Sequence, residues 1–221
     1  EMLGLDPKAL SSVILTHCHI DHIGSAAFFR QKYGAKIVIH ELDAKALETG
    51  DSVRTAANWY GTTFPPTKID RKLTGAQETL TFGSEELHCL HTPGHISNHV
   101  CFADRTRRCL FSGDHVMGWS TSVISPPAGS ITDYLANLRR LVGRDDEVYY
   151  PTHGPPIPDP QAYVQSLIDH RLLRERQIVD QLAGGPRTIP EIVAVLYADV
   201  RPELHEPAGR SVHAHLIALG E

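Results

Sequence analysis

Four residues able to coordinate a metal fall within six positions: His17, His19, Asp21 and His22, in the run His17-Cys18-His19-Ile20-Asp21-His22. Imidazole nitrogens and carboxylate oxygens suit Zn²⁺, Fe or Mn²⁺. Histidines two positions apart on an extended segment project to the same side, as His17 and His19 would. Asp21 and His22 then fall on the following turn and can face a second centre. Further along, His95 stands in Thr92-Pro93-Gly94-His95, Asp114 in Ser112-Gly113-Asp114 and His153 in Thr152-His153-Gly154-Pro155. Five histidines and two aspartates exceed what one tetrahedral ion takes. They suit two divalent ions sharing a bridging carboxylate and a bridging water, with zinc the first expectation and iron or manganese the alternatives.

Each of these residues follows a segment with the pattern of a strand. Ser12 to Thr16 is a short β-branched run leading directly into His17. Glu78 to Thr92 reads as two strands around Gly83-Ser84-Glu85, with His95 just beyond. Val100–Ala103 and Arg108–Phe111 flank Asp104-Arg105-Thr106-Arg107 as a second hairpin, and Asp114 follows. Val148-Tyr149-Tyr150 precedes His153. Loops at strand ends are where sites are commonly built. Between the strands, Ile23 to Tyr33, Glu41 to Glu48 and Thr132 to Leu141 carry helical spacing, and Lys36 to His40 is another strand, so the order argues for a layered α/β architecture. Residues 51–75 are irregular, with Pro65-Pro66 excluding a helix there. Pro155 to Pro160 holds four prolines and marks a boundary, giving a catalytic unit over 1–159 and a helical unit over 160–221. In the second unit, helices are expected from Tyr163 to Ala183, after an N-cap at Thr188, and from Pro202 or Glu203 to Leu219.

The 221 residues carry a net charge of -5, which removes a global basic footprint for nucleic acid. No apolar run approaches the roughly 18 residues of a membrane span, and the opening residues carry no leader pattern. Four cysteines without a CxxC pair read as reduced thiols of a cytoplasmic protein.

The order and spacing of HxHxDH at 17–22, TPGH at 92–95, SGD at 112–114 and THGP at 152–155 resemble the metallo-β-lactamase superfamily of hydrolases. The resemblance implies an αβ/βα sandwich with a dinuclear site at the edge between two sheets. It implies one metal on His17, His19 and His95, a second on Asp21, His22 and His153, and Asp114 bridging them. A metal-bridging hydroxide would then attack an ester, thioester or lactone, with Asp21 both ligating and orienting it. True β-lactamase activity is not expected. Common zinc lactamases place Cys or His where Asp114 stands, and some carry a Lys where this chain has Met117. His99 and His115 are expected to orient ligands, Cys18 to pack, and Trp119 to line the substrate groove or to pack.

The C-terminal pattern (His170 to Ile178, Glu191-Ile192-Val193 with Leu196-Tyr197, and Ser211 to Leu216) is similar to the winged-helix tail of the lactamase-β-like protein 2 group. That group includes a single-strand endoribonuclease and thioester hydrolases. Residues 161–221 hold six arginines against eight acids, a net charge of -2, so phosphate binding by the tail is disfavoured. A helical cap walling the groove, or a homodimer contact, is the simpler expectation. The expected partner is a small-molecule substrate, with no membrane. The alternatives are single-stranded RNA and a mononuclear-iron sulfur dioxygenase chemistry on the first three histidines. In the family the HxHxDH block follows several strands of the first sheet, so strands ahead of residue 1 and a short piece beyond residue 221 are also expected.

Overall fold

The structure is a computed structural model describing residues 6–75 and 78–220. The opening residues 1–5, on which the absence of a leader was read, lie outside it. Two sheets form the centre. The first is parallel: β1 (Ser12–Ile14), β2 (Lys36–His40) and β3 (Arg71–Leu73), in that order. The second holds β4 (Thr79–Phe82), β5 (Glu85–His91), β6 (Val100–Asp104), β7 (Cys109–Gly113), β8 (Val148–Pro151) and β9 (Ile157–Pro158), neighbours in sequence order. It is antiparallel except for β7 against β8.

Side-chain alternation assigns each sheet two buried faces. Ile37 and Ile39 of β2 pack with Ala26, Ala44 and Leu47 on one side. Val38, between them, joins Leu73, Leu80, Val100 and Phe102 in the core between the sheets. On β6 the same alternation sends Val100 and Phe102 inward, and Cys101 and Ala103 outward against Tyr134, Leu138 and Val164. The layers are therefore helix, sheet, sheet, helix, as expected of an αβ/βα sandwich.

The helices are α1 (Ile20–Ile23), α2 (Ala26–Tyr33), α3 (Glu41–Thr49), α4 (Ile131–Val142), α5 (Pro160–Leu182), α6 (Ile189–Leu196) and α7 (His205–Gly220). The expected continuous helix from Ile23 is instead broken. Gly24-Ser25 separates α1 from α2, since glycine costs most in a helix interior and serine competes for backbone groups. β3 emerges from the irregular segment, too short and too charged to show itself in the sequence. The hairpins, the strand at β8 and the helix over 131–142 lie where the patterns place them. Thr188 caps α6 in a reciprocal box with Glu191.

The first half of α5 belongs to the main core through Val164, Leu167 and Ile168. Its second half packs through Ile178 with Ile192, Val193, Ala208 and Val212 of α6 and α7. α5 thus spans both clusters, as does α7, whose Ala214 lies in the main core and Val212 in the second. The four cysteines are free and buried. Among the described residues, no helix is long and apolar enough to cross a membrane.

Candidate metal centre

The ends of β1, β5, β7 and β8 meet at one edge of the sandwich, bringing the seven expected ligands together in two adjacent groups. His17, His19 and His95 form the first. Asp21, His22, Asp114 and His153 form the second. Within each group the ligand atoms lie within 4.8 Å of one another.

In the first group, His19 Nδ1 is 3.0 Å from His17 Nε2 and 2.9 Å from His95 Nε2. Nitrogens bound to one tetrahedral zinc at 2.0–2.1 Å would lie about 3.3 Å apart, so these two sides need lengthen by only about 0.3–0.4 Å to match a coordination site. The remote ring atoms are already engaged. His17 Nδ1 meets Thr16 Oγ1 at 3.0 Å, and His95 Nδ1–H donates to the Val123 carbonyl at 2.7 Å, with Ser122 Oγ 3.0 Å from the same nitrogen. The Val123 carbonyl can only accept, so His95 carries its hydrogen on Nδ1 and leaves Nε2 unprotonated and aimed inward. Burial, reinforced by the neighbouring imidazoles, drives the pKa of His17 far down and that of His19 to about 3; burial also lowers His95. Three rings of lowered pKa thus turn one nitrogen each toward a common point, with Asp114 Oδ2 3.7 Å from His95 Nε2 at the margin of the group.

The second group is charged. His22 Nε2 lies 3.3 Å from Asp114 Oδ1 and 3.4 Å from Asp21 Oδ2. Burial alone would lower His22, but the two carboxylates outweigh it and lift its pKa to about 9. Burial would likewise raise Asp114, yet His22 and the other imidazoles hold it well below the usual carboxylate range. His153 Nε2 is 3.1 Å from Asp21 Oδ2. Asp114 reaches both groups: Oδ1 faces His22 and His153, at 3.3 and 3.6 Å, and Oδ2 faces His95 at 3.7 Å. His22 Nε2 is buried without a hydrogen-bond partner. A buried imidazole nitrogen between two carboxylates, an uncharged nitrogen triangle and a carboxylate with one oxygen toward each group fit a pair of divalent cations.

Local backbone geometry sets these positions. Gly94 has φ +146°, and a Cβ there would sit 2.4 Å from Tyr134 Cα, so the turn carrying His95 presses directly on the start of α4. The Ser130 amide then donates to the Gly94 carbonyl at 2.8 Å. Gly113 has φ +54° at a register shift ending β7, and a Cβ would meet His99 Nε2 at 2.5 Å. That contact lets His99 Nε2 accept the Asp114 amide hydrogen at 3.1 Å, while His99 Nδ1–H donates to Thr92 Oγ1 at 2.9 Å. Thr152 Oγ1 donates to Asp114 Oδ1 at 3.0 Å.

His115 does not join the ligands. Its ring packs on Tyr134 at 4.9 Å and lies 5.9 Å from His99, neither nitrogen has a hydrogen-bond partner, and burial takes its pKa to about 3. Cys18 turns away from the histidines, its thiol directed at the Arg54 carbonyl. Trp119 is 69 % exposed and stacks on His153 at 6.2 Å.

Above the ligands opens a cleft of about 650 Å³, whose apolar lining includes Trp59, Tyr60, Met117, Trp119, Pro126 and Pro207. Arg54, Glu206 and Arg210 add charge, and Arg210 lies 3.7 Å over the Trp59 ring. The sequence pointed to a helical cap walling the groove, but not to the wall from 53–60 or to the residues of α7 that line it. Sequence reasoning also missed Thr16 and Thr152, although both adjoin ligands in the chain.

Residues 1–153 match the metallo-beta-lactamase superfamily, and residues 188–221 match the beta-lactamase associated winged helix domain. The chain is 28% identical over 222 residues to the Beta-lactamase-like protein 2 homolog of Drosophila melanogaster, covering 99% of this chain and 71% of that protein. It is 26% identical to an atrochrysone carboxyl ACP thioesterase of Aspergillus novofumigatus, covering 86% of this chain and 54% of that one. It therefore spans about half the length of the fungal relative. A metallo-beta-lactamase family protein from Thermus thermophilus shares the fold at TM-score 0.80 and 24% identity, covering 99% of this chain and 77% of that one. The chain is a hydrolase of the metallo-β-lactamase superfamily, carrying the winged helix domain associated with it.

Proposed function

We propose that the protein is a dinuclear metal-dependent hydrolase, with zinc the expected metal, acting on esters, thioesters or lactones, thioesters first. The observation that carries this is the pairing of a neutral triangle of imidazoles with a charged group under a cleft whose walls are mainly apolar. The thioesterase name of the fungal relative supports the choice among acyl substrates. His17, His19 and His95 would hold one ion, Asp21, His22 and His153 the other, and Asp114 both. Two divalent ions held there would polarise a carbonyl and bring the pKa of water down to about 7.

The rest falls to the chain. Asp114 is ionised across the physiological range and offsets the cationic charge of the site. Asp21, whose pKa is lowered because His22 outweighs the effect of burial, stays a carboxylate able to accept a proton beside the reacting centre. Trp119 and Met117 give an acyl chain an apolar surface next to His153. Residues 1–159 act as the catalytic unit. Residues 160–221 wall the groove, since α7 supplies Glu206, Pro207 and Arg210 to it. Four free, buried thiols support a reducing, cytoplasmic setting.

The test is thiol release from a panel of acyl thioesters by metal-loaded protein, alongside single-stranded RNA, with Asp21→Ala as control. Thioester cleavage by the wild type alone supports the reading. RNA cleavage by the wild type alone would replace it with a nuclease and give the winged helix a nucleic-acid role.

A further inference from the structure

Arg171, on α5, is 2 % exposed and is among the largest fully buried side chains of the protein. An arginine is almost never buried without an anionic partner. Among the described residues, no ion pair includes Arg171. Its Nη2 instead donates to the backbone carbonyl of Ser122, its guanidinium carbon lies 5.4 Å from the centre of the Tyr134 ring, and its Nε has no hydrogen-bond partner. Val164, Leu167 and Ile168 anchor the same helix in the main core, so the guanidinium is held on a rigid element.

What Arg171 grips is the segment that orients a ligand. Residues 121–125 have no regular secondary structure. Ser122 Oγ and the Val123 carbonyl are nevertheless the two groups that meet His95 Nδ1, at 3.0 and 2.7 Å. The Val123 carbonyl keeps the hydrogen on Nδ1 and leaves Nε2 free toward His19. A planar, permanently charged donor lying beside an aromatic ring is suited to fixing one carbonyl in direction as well as distance, which a lysine cannot do equally well.

We infer that Arg171 is a positioning residue for the metal centre: from α5, which spans both clusters, it clamps Ser122 so that Ser122 and Val123 fix the tautomer and orientation of His95. The helical unit then helps to build the centre as well as to wall the cleft. This rests on the reading of His95 as a metal ligand.

Two readouts test it. The first is the ring tautomer of His95, followed by ¹⁵N imidazole spectra of metal-free protein, with His95→Gln identifying the signal. The second is zinc affinity by chelator competition. The wild type should show hydrogen on Nδ1 alone. Arg171→Met should give mixed tautomers and about 100-fold weaker zinc binding, and Arg171→Lys about 10-fold weaker binding with partial recovery of the tautomer. Val164→Ala, which loosens the same helix in its core, should leave both readouts at wild-type values. A wild-type spectrum and affinity in Arg171→Met overturn the inference, as does an equal loss in Val164→Ala. If Arg171→Met does not fold, unchanged readouts in Arg171→Lys overturn it. If wild type and His95→Gln bind zinc equally, the dinuclear reading fails, and the tautomer readout still decides whether Arg171 positions His95.

Discussion

The two ligand groups should take up metal with different pH dependence. A metal needs the neutral imidazole, so any proton on a ligand must leave first. His22 has a pKa of about 9 in the metal-free protein, because Asp114 and Asp21 at 3.3 and 3.4 Å outweigh its burial. At pH 7 it is protonated in all but about one molecule in a hundred, a penalty of about 2.7 kcal/mol on binding at the second group. Apparent affinity there should rise about tenfold per pH unit up to about pH 9 and then level off. His19, at about 3, and His17 and His95, also lowered by burial, are already neutral, so the first group should vary little between about pH 6 and 9. The sign is opposite for the metal-free fold. His22 is raised above its unfolded value of 6.5, so its attraction to the carboxylates is fully present below pH 6.5 and disappears as pH passes through 9. Zinc titrations by calorimetry, in buffers of differing protonation enthalpy at about pH 6.5, 7.5 and 8.5, would count the protons released per ion. Beyond the proton given up by bound water, the ion entering the second group should release about one proton more at neutral pH than the ion entering the first. Equal release by both ions, or parallel pH slopes, would refute the assignment of charge to the second group alone.

Asp43, buried beside Cys18, has a pKa pushed up to about 6 by burial. Its folded value lies above the unfolded 3.8, so stability should increase as pH falls through 6, levelling off below about 4, and chemical denaturation should show Asp43→Asn flattening that rise. Gly113→Ala should destabilise by more than about 2 kcal/mol in urea unfolding, combining the positive φ with the clash at His99. Gly34→Ala, at φ +72° with nothing within 4 Å, should lose only the backbone cost of about 1–2 kcal/mol. Thr152→Val removes the hydroxyl donated to Asp114 while keeping its shape. It should weaken zinc binding about 10-fold while lowering stability by no more than about 1 kcal/mol.

The candidate ligands were legible because each follows a strand pattern and three of the four loops carry a glycine or proline that fixes a turn. HxHxDH names four of them within one turn of chain, and no folding information is needed to see that they lie close together. The layered class was legible because strand and helix patterns alternate from Ser12 to Glu48, and two hairpins followed by a helix occupy Glu78 to Leu141. What was not legible depends on distant pairing. β3 is the tripeptide Arg71-Lys72-Leu73, a strand only because β2 offers it a parallel edge. The cleft wall joins Trp59, from an irregular segment, to Arg210, from α7, across about 150 positions of sequence. Arg171 looked like an ordinary helix arginine, since nothing near it in sequence indicates that Ser122 lies beneath it.

The arrangement divides along a gradient of burial. His17, fully buried, and its partners form a group from which charge has been driven out, ready to receive a cation without losing protons. Asp21, with its side chain 42 % exposed, and His153 stand at the cleft, where charge is tolerated. Asp114 is where the two regimes meet, and its supports come from three directions: His99 at its amide, Thr152 at one oxygen and the Gly113 turn behind it. A carboxylate placed so that each oxygen faces a different group can serve both only if it cannot rotate. Its surroundings should therefore be more sensitive to substitution than the cleft wall, where Trp119 and Tyr60 project freely and can be exchanged to change which acyl group is accepted.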